Sequence, residues 1–261
     1  MGFRYATGRI NTRRVAVATA FSPTDIAGLQ LWLDFSDADT LFTDAGTTKV
    51  TADGQAIYQA NDKSGNAKHV TQATLGNRPL YKTNIKNSLS ASQFIRASKS
   101  RLISSVFSLS QPFTEFVVCQ VSATNVNQIF SDSYDNVQNV VFNSNESGRL
   151  EKYVIAAGTA DAAAVNAIVI LSSTNFSILT AKFNGASTKL QVNNGTPKTS
   201  DVGANGKSGI SIGNLRGNPN PLVGNYELNG YIAEHLIYNS ILSDGNTTSL
   251  LAYLNNKWAI Y

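Results

Sequence analysis

The C-terminal run 228–261 constrains the fold most, because it combines the pattern of a buried strand with the start of a helix. Residues 231–238 are apolar on both alternating faces except at Glu234 and His235, which is typical of a strand covered on both sides. Ser243 is predicted to be an N-cap, and Asp244 would face the positive end of the helix dipole. An apolar stripe follows at helical spacing: Leu250, Leu251, Leu254 and Trp258. The run therefore predicts a last strand, a tight corner and a short helix.

A second helix signal lies near the start of the chain. Ser22, Pro23 and Asp25 occupy the N-cap, N1 and N3 positions of a short helical turn, which Gly28 is expected to end. A strand is predicted directly behind it, because apolar residues alternate over 29–34. We interpret the carboxylates that follow as caps of turns, with a hard-cation cluster as the alternative. These carboxylates are Asp34, Asp37 and Asp39.

The middle of the chain alternates short apolar runs with turn residues, which indicates an all-β domain. The run 113–121 is apolar on both faces and predicts a strand deep in a sheet. Two short strands are predicted over 128–142 and another over 176–183. We expect a hairpin turn at Asn184 and Gly185, because both residues tolerate positive φ, with the return strand over 188–192.

Three blocks of the sequence share the pattern of one known family. The C-terminal block reads G-x-I-A-E-x-x-I-Y-N, then a Leu-Ser pair, then a helix that ends Y-L-x-x-K-W. A middle block has F-N-G, L-x-V-N-N-G and I-x-I-G in succession. An earlier block follows D-x-S-G-N, a polar loop with Gln, and R-P-x-Y, through Asp62, Ser64, Gly65, Asn66, Gln72, Arg78, Pro79 and Tyr81. The chain resembles the concanavalin A-like lectin/glucanase family, and more narrowly the laminin-G-like modules of large secreted bacterial proteins and bacteriophage virion proteins.

This resemblance covers residues 21–261 and implies their fold. It implies an all-β domain in which two antiparallel sheets pack as a β-sandwich, a concanavalin A-like jelly roll. Short helices are expected near the start and at the C-terminus. No second domain boundary and no internal repeat of about 20–50 residues is evident. We therefore predict one sandwich domain over 21–261, which is long enough for a full core.

The first twenty residues carry the whole surplus of positive charge. The chain has 21 Lys and Arg residues against 17 Asp and Glu, and four of the basic residues are arginines in this segment, which leaves the remainder at 17 against 17. We predict a basic docking arm over 1–20 that binds an acidic protein groove, and a solvated tail is the alternative. Nucleic acid is the less favoured partner. The arginines are Arg4, Arg9, Arg13 and Arg14.

We find no catalytic set in the sequence. Glucanases of this fold place carboxylates along one strand as E-x-D-x-E, so that they share a face. None of the five glutamates has a carboxylate two or four residues onward, and a catalytic triad is poorly supported with histidine only at 69 and 235. We expect Glu234 to have a structural hydrogen-bonding role. The protein is predicted not to be an enzyme and to need neither cofactor nor metal. The glutamates are Glu115, Glu146, Glu151, Glu227 and Glu234.

Location signals are also absent from the sequence. No apolar run approaches the ~20 residues needed to span a bilayer, so we expect no membrane insertion. The N-terminus has no apolar h-region, so we expect no secretion signal. Cys119 is the single cysteine, which excludes an internal disulfide and predicts a buried structural thiol.

A sugar-binding site is predicted where an aromatic platform meets polar side chains on loops. Tyr134 is the candidate platform. The candidate polar ligands are Asp135, Asn136, Arg149, Arg216 and Asn218.

The resemblance implies a non-enzymatic structural protein of a bacteriophage virion, either a capsid decoration protein or a tail or fibre component. The arm over 1–20 would anchor it to other virion proteins, with host-surface glycans as further partners. By analogy with such proteins we expect a homo-oligomer, for example a trimer, that assembles into the virion in the host cytoplasm. A stand-alone carbohydrate-binding lectin module is the alternative, and a glycoside hydrolase is a more distant one.

Overall fold

The computed structural model describes residues 1, 21–122, 127–134, 139–144, 152–158, 175–214 and 226–261. These residues form the predicted β-sandwich, in which two eight-stranded antiparallel sheets pack around one apolar core. The predicted docking arm lies outside the described residues. No helix in the described segments is long and apolar enough to cross a membrane.

Sheet 1 contains the longest strands of the domain. Its members are β1 (Leu29–Asp34), β5 (Leu80–Lys86), β6 (Leu89–Phe94), β9 (Phe113–Val121), β13 (Ser177–Phe183), β14 (Thr188–Val192), β15 (Lys198–Ser200) and β18 (Gly230–Tyr238). Their spatial order is β15-β14-β13-β9-β18-β6-β5, and β1 pairs with β18 beside β6.

Sheet 2 is built from shorter strands. Its members are β2 (Leu41–Phe42), β3 (Gln59–Ala60), β4 (Val70–Thr71), β7 (Leu102–Ser104), β10 (Gln128–Asp132), β11 (Val140–Ser144), β12 (Lys152–Ala156) and β17 (Ser211–Ile212). Their order is β12-β11-β10-β17-β7-β4-β3-β2. A separate two-stranded ribbon pairs β8 (Ser108–Leu109) with β16 (Lys207–Ser208).

The two central strands of sheet 1 are covered on both faces, as the sequence predicts. All residues of β18 are buried except Tyr231, and all of β9 except Gln120. One face of each strand contributes to the core between the sheets, and the other packs under the C-terminal helix. A register shift between Ile232 and Glu234 adds one residue to β18, which turns Glu234 toward the helix and His235 toward the core.

The C-terminal helix α1 (Asp244–Trp258) confirms the predicted cap and stripe. The Ser243 hydroxyl accepts the Asn246 backbone N–H at 3.2 Å. The helix packs on the outer face of sheet 1, where burial of each large apolar side chain contributes about 2 kcal/mol. The predicted stripe is buried in full: Leu250, Leu251, Leu254 and Trp258.

The predicted N-terminal helix is a single 3₁₀ turn, Pro23–Asp25. Ser22 accepts the Thr24 backbone N–H, while the Asp25 carboxylate accepts the Ser22 N–H at 2.8 Å. Gly28 follows at φ +87, where a Cβ would collide with the Asn239 side chain. The other 3₁₀ turns in the described residues are Ala38–Thr40, Leu75–Asn77, Arg96–Ser98 and Gly185–Ser187.

The predicted hairpin turn at Asn184 and Gly185 is confirmed, since β13 and β14 pair across it, but only one of the two residues has positive φ. Gly185 has positive φ (+53), but Asn184 has φ −154 and is extended. The loop continues through the 3₁₀ turn Gly185–Ser187 because the Thr188 hydroxyl accepts the Asn184 N–H at 2.8 Å and closes a wider turn.

The interpretation of the early carboxylates as turn caps is confirmed for Asp34 and Asp37. The Asp39 carboxylate instead accepts a hydrogen bond from Lys49 Nζ at 2.7 Å. Asp34 accepts the Ser36 N–H at 3.1 Å, and Asp37 accepts the Asp39 N–H at 3.2 Å. Lys63 bridges the first two carboxylates at 3.0 and 2.7 Å. Within the segments the structure describes, no cluster of three His, Cys, Asp or Glu side chains could hold a metal ion.

Candidate functional site

A groove of about 430 Å³ lies on the outer side of sheet 2, at the ends of β4 and β7. In β4 and β7, Val70 and Leu102 enter the core, so that the alternating neighbours Thr71 and Ile103 point outward. These two outward residues are cross-strand partners and form one wall of the groove. The full lining is Thr71, Gln72, Ala73, Ile103, Ser104, Ser105 and Tyr134.

The polar floor of the groove is held in place by internal hydrogen bonds. The Ser104 hydroxyl accepts the Ile210 N–H at 2.9 Å and donates to the Ser105 carbonyl at 2.7 Å. The Gln72 side chain accepts the Thr74 N–H at 3.0 Å. A ligand would therefore meet a surface that is already ordered, which lowers the entropic cost of binding.

Tyr134 stands at the end of β10 and forms the aromatic part of the groove. Its backbone N–H donates to the Ser208 carbonyl at 3.1 Å. Gly209 lies against it with φ +70, and a Cβ there would be 2.9 Å from both the Tyr134 Cβ and the Ser105 carbonyl oxygen. A glycine at this position thus lets the chain approach closely enough to place Tyr134 beside Ser105.

Of the predicted sugar ligands, the structure describes Tyr134 alone and places it in the groove. The remaining candidates Asp135, Asn136, Arg149, Arg216 and Asn218 lie outside the described residues, as do Arg4, Arg9, Arg13 and Arg14. Sequence reasoning missed the walls that β4 and β7 provide, because two-residue strands leave only a faint alternation such as Val70-Thr71.

A cluster of ionisable side chains is enclosed between the sheets. The Glu115 carboxylate shares a 2.7 Å hydrogen bond with His235 Nε2 and lies 3.3 Å from Lys207 Nζ. Lys207 also donates to Ser131 Oγ and to the Asn139 carbonyl, both at 3.1 Å. The cluster joins β9 and β18 of sheet 1 to β10 of sheet 2 through the β16 lysine.

The two carboxyl groups near Lys207 differ in their acidity. Burial opposes the charge of Glu115, but Lys207 and His235 together outweigh it and lower the pKa of this carboxyl to about 2. Burial raises the pKa of Asp132 to about 7 in spite of Lys207. Glycosidases also place two unequal carboxyl groups together, but at a cleft that holds the sugar. Here neither Glu115 nor Asp132 lines the groove, and both are buried between the sheets, so a sugar in the groove does not touch them.

On the outer face of sheet 1, under α1, the Glu234 carboxylate accepts four hydrogen bonds, in agreement with its predicted structural role. Trp32 Nε1 donates at 2.8 Å and the Tyr253 hydroxyl at 3.0 Å to Oε1. Trp258 Nε1 donates at 2.8 Å and Lys257 Nζ at 2.9 Å to Oε2. Burial raises the pKa of Glu234, and Lys257 opposes that rise. The carboxylate thereby ties β1, β18 and α1 together.

Comparison with known proteins identifies relatives in fold. No protein-family model and no curated protein matches the sequence. Domain 4 of AbnA, a GH43 extracellular arabinanase from Geobacillus stearothermophilus solved with arabinotriose, is 14% identical with a TM-score of 0.58, over 85% of this chain and 98% of that one. The similarity is one of architecture. The chain has a β-sandwich fold similar to that of this domain.

Two further solved structures share this architecture. Trypanosoma rangeli sialidase is 11% identical with a TM-score of 0.52, over 89% of this chain and 33% of that one. The binding domain of Paraclostridial Mosquitocidal Protein 1 is 15% identical with a TM-score of 0.52, over 85% of this chain and 54% of that one. The chain thus spans nearly all of the arabinanase domain but only a third of the sialidase.

Proposed function

We propose that the protein is a non-enzymatic carbohydrate-binding domain that holds a neutral glycan in the groove beside Tyr134. The observation that carries this proposal is the position of a half-buried aromatic side chain at one end of an ordered, polar groove of about 430 Å³. Sugar rings present apolar C–H faces and hydroxyl edges, which suit an aromatic platform and polar neighbours respectively. The fold similarity to a domain solved with arabinotriose supports the choice of ligand class.

The enclosed carboxyl groups support the non-enzymatic part of the proposal. Glu115 is engaged by His235 and Lys207 inside the sandwich, and Glu234 is engaged by four donors under α1. Neither carboxylate is presented to the groove. Binding through one aromatic face and a few hydroxyls is expected to be weak, with Kd on the order of 1 mM.

Titration with neutral oligosaccharides tests this function. Arabinotriose and other neutral oligosaccharides are titrated by isothermal calorimetry, and Tyr134→Ala is expected to weaken binding about tenfold or more. Tyr261→Ala is the matched control, because Tyr261 is 46% exposed and does not line the groove. Absence of binding at millimolar sugar, or equal affinity of the wild type and Tyr134→Ala, would contradict the proposal.

We further propose that this domain serves in a bacteriophage virion, as a capsid decoration protein or as part of the tail or fibre. The sequence resemblance and the confinement of the charge surplus to residues 1–20 support this role. Deletion of residues 2–20 should leave the near-ultraviolet circular dichroism unchanged and abolish incorporation into the parent particle. Particles with normal amounts of the truncated chain would refute the anchoring role. Light scattering of the full chain tests the expected trimer.

A further inference from the structure

A second cleft, of about 350 Å³, lies on the outer face of sheet 1, on the opposite side of the sandwich from the Tyr134 groove. It is bounded by β13 and β14 on one side and by the first turns of α1 on the other. Its volume falls within the range of small-molecule sites. The residues that define it include Thr180, Lys182, Lys189, Gln191, Thr247 and Leu251.

Two lysines face each other across the floor of this cleft. Lys182 on β13 and Lys189 on β14 are direct cross-strand partners. Like charges in this relation repel each other and destabilise a sheet. Lys182 donates one hydrogen bond to the Leu242 carbonyl at 2.9 Å, which leaves further N–H donors of its ammonium. The Lys189 side chain makes no hydrogen bond or ion pair with other described residues. An anion between the two ammonium groups would relieve their repulsion.

A buried hydroxyl without a partner lies beside the lysines. Thr180 is 1% exposed, and its Oγ1 has no hydrogen-bond partner among the described residues. Burying a hydroxyl in this state is unfavourable, so a ligand group that pairs with it gains affinity. Gln191 is the cross-strand partner of Thr180 and also lines the cleft. Its amide offers both donors and an acceptor to the same ligand.

The charges around the cleft limit the kind of anion that fits. The positive end of the α1 dipole and the two lysines favour a ligand that carries one negative charge. The carboxylate of Asp244 also lines the cleft, 3.7 Å from Lys182 Nζ, and repels a doubly charged phosphate more strongly than a carboxylate. The cleft is also much larger than a simple inorganic anion requires. Leu251 adds an apolar contact, and Thr180 and Gln191 suit hydroxyl groups.

We propose that this cleft binds an acidic monosaccharide of the uronic acid class. The sugar carboxylate lies between Lys182 and Lys189, and the ring hydroxyls pair with Thr180 and Gln191. The site is separate from the Tyr134 groove and differs from it in ligand charge. The protein would then have two glycan sites, one on the outer face of each sheet.

Calorimetric titration with D-glucuronate tests the ligand class. Three control ligands are compared with it. D-glucose has the sugar ring but no carboxylate, and acetate and inorganic phosphate are anions without a ring. We expect glucuronate to bind about tenfold more tightly than each of the three, since one charge-assisted contact is worth about that factor. Equal affinity for glucose or acetate, or tighter binding of phosphate, would overturn the proposal.

Variants of the cleft test the assignment of individual residues. Lys189→Gln should lower the affinity for glucuronate about tenfold. Lys198→Gln makes the same charge change at an exposed residue of β15 that does not line the cleft, and should leave the affinity unchanged. Wild-type affinity in Lys189→Gln, or equal losses in both variants, would contradict the site.

Thr180→Val separates a binding role from a structural one. Valine has nearly the same shape and removes the unpaired hydroxyl, so Tm should stay the same or rise while glucuronate affinity falls about fivefold. Unchanged affinity would show that the hydroxyl does not contact the ligand. Tyr134→Ala should keep full affinity for glucuronate, so that failure of this inference and failure of the proposed groove function can be told apart.

Discussion

Replacement of Lys207 by methionine removes the cation of the buried cluster with Glu115 and His235 and leaves most of the side-chain volume. Lys207 is 2% exposed, and its ammonium lies 3.3 Å from the Glu115 carboxylate. It also donates to Ser131 Oγ and the Asn139 carbonyl, both at 3.1 Å. The variant therefore leaves a buried Glu115 carboxylate that has lost its cation and keeps His235 and Ser131 as hydrogen-bond partners.

Two independent arguments give the size of the expected loss. Removal of one member of a buried ion pair typically costs about 3–5 kcal/mol. The pKa of Glu115 falls from an ordinary 4.5 to about 2 in the folded protein, where Lys207, His235 and Ser131 together outweigh burial, and this net shift corresponds to about 3 kcal/mol of stability. Because that pKa is lowered, this stability is present above pH 4.5 and is lost as the pH falls toward 2. We therefore expect Lys207→Met to lower the free energy of unfolding by about 3 kcal/mol at pH 7.

Urea denaturation followed by far-ultraviolet circular dichroism at pH 7 measures this loss. The double variant Glu115→Gln/Lys207→Met should be more stable than Lys207→Met alone, because the uncompensated charge has been removed. Lys198→Met is the matched control at an exposed lysine and should change stability by less than about 0.5 kcal/mol. A loss below about 1 kcal/mol in Lys207→Met, or no recovery in the double variant, would refute the reasoning.

Three further predictions follow from other buried groups. Burial raises the pKa of Asp132 from 3.8 to about 7, so the free energy of unfolding should fall as the pH rises between these values. Asp132→Asn should reduce this fall in urea midpoints measured at pH 4, 5.5 and 8, while the raised pKa of Glu234 leaves a remainder. Glu234→Gln should lower the free energy of unfolding by about 3 kcal/mol, because the carboxylate is paired with Lys257 in a buried site. It should also shift the tryptophan fluorescence emission, because both tryptophans of the chain, Trp32 and Trp258, donate to this carboxylate. Gly209→Ala should lower the free energy of unfolding by about 1–2 kcal/mol, because it places a Cβ at positive φ against Tyr134. Calorimetry should also show weaker sugar binding, because Tyr134 would have to move.

Local signals in the sequence predicted the ends of the domain well. The cap at Ser243 and the capping box at Ser22 depend on residues three positions away, so both can be identified without knowledge of the fold. The two-sided burial of β18 also follows from its own composition. Glu234 was expected to be structural, although its four donors come from β1 and α1 and could not be named from the strand alone.

The sites on the two outer faces depend on pairings that are distant in sequence. Thr71 and Ile103 meet because β4 pairs with β7, and neither two-residue β4 nor three-residue β7 has a strong pattern of its own. Lys207 lies in a polar Gly-rich stretch and gives no sign of burial, since its partner Glu115 is on a strand more than ninety residues earlier. Long-range pairing, rather than local propensity, decides where these side chains lie.

The order of the strands along the chain has a consequence for biosynthesis. The strand β18 is the last of the described strands in sequence, yet it lies in the middle of sheet 1 between β9 and the pair β6 and β1. Until residues 230–238 emerge from the ribosome, β9 and β6 each have an open edge and β1 has no neighbour in sheet 1, so these strands can pair with another chain. Chains that stop short of β18 are therefore expected to aggregate, and completion of the sandwich must wait for its C-terminal strand.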